Sequence, residues 1–122
     1  MNTPLRDSGR DQAAWSRSDK LVARKAFDAA LTRELQEVIQ QTKQMANGIK
    51  APADLWDLEH YLTQRRKEID RKYDSRTSQF TQVLGKLWQE GRLGEKDLRG
   101  LKATRLKSVQ SYADFLARMD AS

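Results

Sequence analysis

The sequence predicts an all-α protein: a long antiparallel stem of two helices carrying a small helical head, completed as a homodimeric helical bundle. Three observations predict it. Apolar residues recur in alternating steps of three and four, the helix period, along most of the 122 residues. β-Branched residues are few, and the strict alternation of a half-buried strand is absent. The two prolines, Pro4 and Pro52, both fall outside the periodic stretches.

Residues 1–17 combine Pro4, Gly9 and scattered charges and read as a flexible N-terminal arm, with Trp15 the earliest candidate for order. The stem is expected over 18–76. Ser18 or Asp19 can cap its first helix by accepting free backbone N–H groups. Phe27, Leu31, Leu35, Val38, Thr42, Met45 and Ile49 then form a continuous stripe. Asn47-Gly48 is the expected end, because both residues tolerate a left-handed cap. Ala51-Pro52-Ala53-Asp54 restarts the chain, with Pro52 tolerated at a helix start and Asp54 as cap. The second stripe is Leu55, Leu58, Leu62, Arg65, Ile69 and Tyr73, in which Arg65 is the polar member. A two-helix hairpin leaves much apolar surface wet, and a second copy of the chain is the simplest cover.

The polar run 74–78 marks a bend or restart, and the head is expected over 77–122. Phe80, Val83, Leu84, Leu87 and Trp88 follow the i, i+3, i+4, i+7, i+8 pattern of a core-facing helix. Gly91 and Gly94 punctuate the chain, and a last helix is expected from about Glu95 to Met119.

Composition removes several classes of function. With no cysteine there is no disulfide or thiolate chemistry, and a reducing cytoplasm is the expected setting. A single histidine, His60, is too little for a zinc site without help from several carboxylates. No apolar run approaches the ~20 residues of a membrane span. Gly-x-Ser-x-Gly and Gly-rich phosphate loops are both missing. Glu59 and His60 are adjacent, hence about 100° apart on a helix, and cannot work as a hydrogen-bonded pair. No catalytic residue, cofactor or metal is therefore expected.

The net charge of +6 admits nucleic acid, anionic lipid or an acidic protein partner. Lys96, Arg99, Lys102 and Arg105 recur every third residue, with Lys107 close by, and are expected to form a cationic ribbon on the last helix. No aromatic interleaving or known reader motif accompanies them, which argues against nucleic acid. The segment 51–78 carries six basic and six acidic residues, a balance suited to specific ion pairing. Within it, Trp56 and Arg66 are the residue types enriched in interface hot spots. Ten residues apart on a helix, they lie about 15 Å apart along the axis and about 80° apart in direction. Trp56 suits either burial in the bundle or such a hot spot. Arg66 could pair with Asp70 four residues on, and His60 with Asp57.

The order Leu55-Trp56, Leu58, Leu62, Arg66, Glu68-Ile69-Asp70, Lys72-Tyr73-Asp74 and Arg76 resembles the fluorescence recovery protein family of cyanobacteria. A looser similarity continues through Gln89-Glu90-Gly91, Leu93, Leu98, Gly100-Leu101 and Leu106. The resemblance implies a homodimer without enzymatic activity. It would bind the C-terminal domain of photoactivated orange carotenoid protein, speed its return to the resting form and end phycobilisome quenching. The family's functional Trp and Arg fall on Trp56 and Arg66, with Glu59, His60 and Asp70 as further partner-binding candidates. The family's dimer seam falls on Leu55, with Leu58 and Leu62 beside it. The family commonly has His-Asp three and four residues after the Trp, where this chain has Glu59-His60. The alternatives are a relative serving another, acidic protein partner, a basic helical nucleic-acid-binding protein, or a generic assembly factor.

Overall fold

The computed structural model describes residues 15–121. All regular structure among them is helical. Helix α1 runs Arg17–Asn47, α2 Pro52–Lys72, α3 Phe80–Gln89 and α4 Ala103–Ala121. Single 3-10 turns at Thr77–Gln79 and Glu95–Leu98 precede α3 and α4. α1 and α2 form the expected antiparallel hairpin, α3 and the 3-10 turn Glu95–Leu98 dock on α1, and α4 packs on α3.

The N-terminal arm lies outside the described residues as far as 14. Its last three residues are not arm. Trp15 is 4% exposed and meets Phe80 edge-to-face at 5.3 Å, while Arg105 lies 4.8 Å over its ring. Burying an indole against an aromatic and under a guanidinium outweighs the polar composition around it. The cap of α1 is Ser16, whose Oγ accepts from Asp19 N at 3.0 Å, in place of Ser18 or Asp19. Asp19 instead reaches into the head and accepts from Lys102 N at 3.1 Å.

The core belongs to the head. Phe80, Leu84, Leu87, Leu98 and Val109 are fully buried, as the stripe on α3 predicted for its members. α1 contributes Ala23, Ala26 and Ala30, a small-residue face that lets the head approach closely. The predicted stripe on α1 is the weaker face: Phe27, Leu31 and Val38 are half-buried, and Leu35 is exposed. Leucines were the larger signal, but the alanines make the tighter contact.

Helix ends follow local chemistry. α1 stops at Asn47, but Gly48 has φ −89°, so the left-handed cap is absent. Asp54 sits inside α2 and accepts from Lys50 N at 2.9 Å and Ala51 N at 3.1 Å, half of a capping box. Gly91, at φ +79°, closes α3: its N–H donates to Trp88 O and that of Arg92 to Leu87 O, both at 2.9 Å. The last helix starts at Ala103 and not near Glu95, because Gly100 adopts φ +97° and breaks the path after the 3-10 turn. Lys96, Arg99 and Lys102 therefore lie off α4, and the cationic ribbon is not one helix face.

Candidate functional site: the outer face of α2

No residue of α2 is fully buried. Asp54, Leu58, Tyr61, Arg65, Ile69 and Lys72 are half-buried toward α1. With Arg65 as the inward reference and about 100° per residue, the rest of α2 falls into order. Leu62 and Leu55 lie on one flank. Next come Arg66, Glu59, Asp70, Trp56 and His60, which together span about 120° of the outer surface. All five are exposed, and Trp56 is 64% exposed, which resolves its placement in favour of the surface of this chain.

The expected pairs within that arc do not form. Arg66 makes no ion pair with Asp70, nor His60 with Asp57, among the described residues. Glu59 accepts from Thr63 Oγ1 at 3.0 Å. Among the described residues Arg66 thus presents a guanidinium without an ion-pair partner, and Trp56 an exposed indole. Among the described residues no cluster of His, Asp and Glu could hold a metal ion. No described helix is long and apolar enough to cross a membrane.

Of the expected dimer residues, Leu55 (48%) and Leu62 (39%) are exposed, whereas Leu58 is half-buried against α1. Leu35 and Ile39 on α1 are also exposed. In an antiparallel pair the same sense of rotation on each helix leads to the same side, so these four residues form one apolar strip on one face of the hairpin. Ile39 was missed in the sequence. Its signal was the width of the apolar set 35, 38, 39, 42, too broad for a single seam.

The second missed feature lies at the junction of stem and head. Glu34 has no exposed surface. It accepts from Arg65 Nη2 and Lys72 Nζ at 2.8 Å and from Tyr73 Oη at 2.9 Å, with Arg92 Nε at 3.3 Å. Burial alone would push its carboxyl up, but the hydrogen bonds from Lys72, Arg65 and Tyr73 outweigh that and hold it below its ordinary value. Burial and the Glu34 hydrogen bond raise the Tyr73 phenol. Glu90 joins through Lys72 at 2.8 Å and Arg92 at 2.9 Å, and Arg92 also pairs with Glu37. Arg33 grips Asp97 with two hydrogen bonds, at 2.9 and 3.1 Å.

The family model for photoprotection regulator fluorescence recovery protein matches residues 15–113. This chain belongs to the fluorescence recovery protein family. The fluorescence recovery protein of Synechocystis sp. PCC 6803 is 32% identical over 102 residues, covering 84% of this chain and 94% of its own length. The solved structure of that protein superposes with a TM-score of 0.77, covering 82% of this chain and 98% of the other. The structure of the Fremyella diplosiphon fluorescence recovery protein gives a TM-score of 0.76 at 34% identity, covering 82% of this chain and 98% of its own. The family is one of photoprotection regulators, and the all-helical architecture is shared.

Proposed function

We propose that this chain is a non-catalytic cytoplasmic regulator. It binds the C-terminal domain of photoactivated orange carotenoid protein, speeds its return to the resting form and so ends quenching at the phycobilisome. The supporting observation is the outer arc of α2, where Trp56 and Arg66 stand exposed in a chain of the fluorescence recovery protein family. The family resemblance supports choosing those two positions. Both side chains are exposed, which supports the same reading. Trp and Arg are the residue types enriched in interface hot spots.

Acceleration of a partner's relaxation requires differential affinity. The regulator must bind the compact or transition form of its partner better than the activated one, since equal affinity shifts nothing. The strip of Leu35, Ile39, Leu55 and Leu62 is the homodimer seam in this proposal, because four adjacent exposed aliphatic side chains favour burial against a second copy. A dimer so formed presents two copies of the Trp56–Arg66 surface.

The Glu59-His60 order favours one second reading. It moves the family's negative charge by about 100° around the helix and suits a relative that serves another protein partner. Co-precipitation with light-activated and dark-adapted orange carotenoid protein separates the two. State-dependent capture supports the first reading, and failure to capture either form overturns it.

A further inference from the structure

We propose that Glu34 is a positioning residue: through Arg65 and Lys72 it sets the rotation of α2 about its own axis, and thereby the direction in which Arg66 and Trp56 face. The inference rests on the reading of the outer face of α2 as the partner-binding surface.

The packing leaves this task to a polar group. α2 has no fully buried residue, so no apolar side chain keys it into α1. Half-buried Leu58, Tyr61 and Ile69 supply contact, but apolar contact is non-directional and tolerates rotation. Glu34 continues the buried face of Ala23, Ala26 and Ala30, and it pairs both with Arg92 of the head and with Arg65 and Lys72 of α2. An uncompensated carboxylate there would be strongly disfavoured, so its donors are held in place. Two of them, Arg65 and Lys72, stand seven residues apart on one side of α2 and fix it at two points. A third, Arg92, belongs to the head, so the same carboxylate ties the azimuth of α2 to the head.

Arg66 is the neighbour of Arg65. Holding Arg65 inward turns Arg66 outward by about 100°, onto the arc that carries Glu59 and Asp70. Hydrogen bonds between ionised partners are the strongest and most directional available for that purpose.

The test uses the full chain with Glu34→Gln and Arg65→Met, and Arg33→Ala as a control that loosens the head through Asp97 and the Arg92 carbonyl while leaving every side chain that pairs with Glu34 in place. The first readout is amide hydrogen exchange, which needs no partner. Residues 65–73 are expected to exchange at least tenfold faster in both variants, with the head core at Leu84, Leu87 and Val109 unchanged. The control leaves 65–73 as in the parent chain. The second readout is the recovery rate of the carotenoid protein, expected to fall at least fivefold in both variants and not in the control. Unchanged exchange at 65–73, or a rise shared equally by the head core, overturns the inference. If Glu34→Gln does not fold, Arg65→Met decides alone, because it leaves Glu34 paired with Lys72, Tyr73 and Arg92. If the parent chain itself has no effect on the carotenoid protein, the functional reading fails while the exchange result still judges the inference.

Discussion

Gly85 on α3 lies so close to Tyr112 on α4 that a Cβ added there would fall 2.6 Å from the ring's Cδ2 and 3.0 Å from Tyr112 Cβ. The two head helices are therefore in near-backbone contact, and the glycine is required by space rather than by backbone conformation. Gly85→Ala should destabilise the protein by about 1 kcal/mol, because overpacking costs roughly 1–3 kcal/mol and the gain in helix propensity returns roughly 1. Gly85→Leu should cost more. Urea denaturation of the three proteins measures the difference.

Trp15→Ala should cost about 3 kcal/mol or more. The side chain is 4% exposed and is wedged between Phe80 and Arg105, and truncating a buried Trp leaves a cavity that the helices cannot close. Thermal unfolding followed by circular dichroism checks it. An arm-like residue would give no measurable change.

The fate of Trp15 illustrates what the sequence could and could not say. Stripes of large apolar residues were legible: α3 sits where Phe80, Val83, Leu84 and Leu87 placed it. The hairpin was legible from two stripes separated by Gly48 and Pro52. Three things were not. The alanine face of α1 carries little hydrophobic signal, yet it determines where the head docks. Gly100 adopts φ +97°, a conformation that no periodic pattern reports, and the last helix starts only at Ala103. Arg65 was visible as a polar break in a stripe, but its partner Glu34 lies thirty-one residues away and is recognisable only once the hairpin is folded. On α2, Trp56 and Arg66 were named from composition and family resemblance, and exposure was added by the fold.

Leu55→Glu and Leu62→Glu should each convert the proposed homodimer to a monomer with helical content retained. Both positions are exposed on the isolated chain, so the charge is tolerated there, but it becomes buried and unpaired at a seam. Light scattering coupled to gel filtration reads the mass directly. Leu58→Glu should instead disturb the hairpin itself, because that side chain is turned toward α1.

Acid should loosen the junction of stem and head. The Glu34 carboxyl is held below its ordinary value of 4.5 and that of Asp97 below 3.8. Groups with depressed folded values contribute stability that is present above the unfolded value and is lost as pH falls through the folded one. Stability should therefore be flat near neutrality and fall progressively below about pH 4.5. Glu34→Gln should flatten that acid limb while lowering stability at pH 7. Denaturation midpoints between pH 3 and 7 for both proteins provide the comparison.

Arg66→Leu and Trp56→Ala should each weaken partner binding at least tenfold, about 1.4 kcal/mol or more, while leaving the oligomeric state and the unfolding midpoint unchanged. Neither side chain supports another within the chain, since Arg66 makes no ion pair among the described residues and Trp56 is 64% exposed. Isothermal titration against the isolated C-terminal domain of the carotenoid protein measures the loss. A matching fall in thermal stability would mean that the residues act on the fold and not on the partner.

The recovery kinetics of photoactivated orange carotenoid protein test the central claim most directly. Absorbance is followed in the dark after illumination, with and without this protein and with its Arg66→Leu variant. The account predicts a faster return to the resting spectrum with the parent chain, at less than one molecule per carotenoid protein, and a rate indistinguishable from the unassisted one with the variant. A recovery rate unaffected by the parent chain, or accelerated equally by the variant, would contradict it.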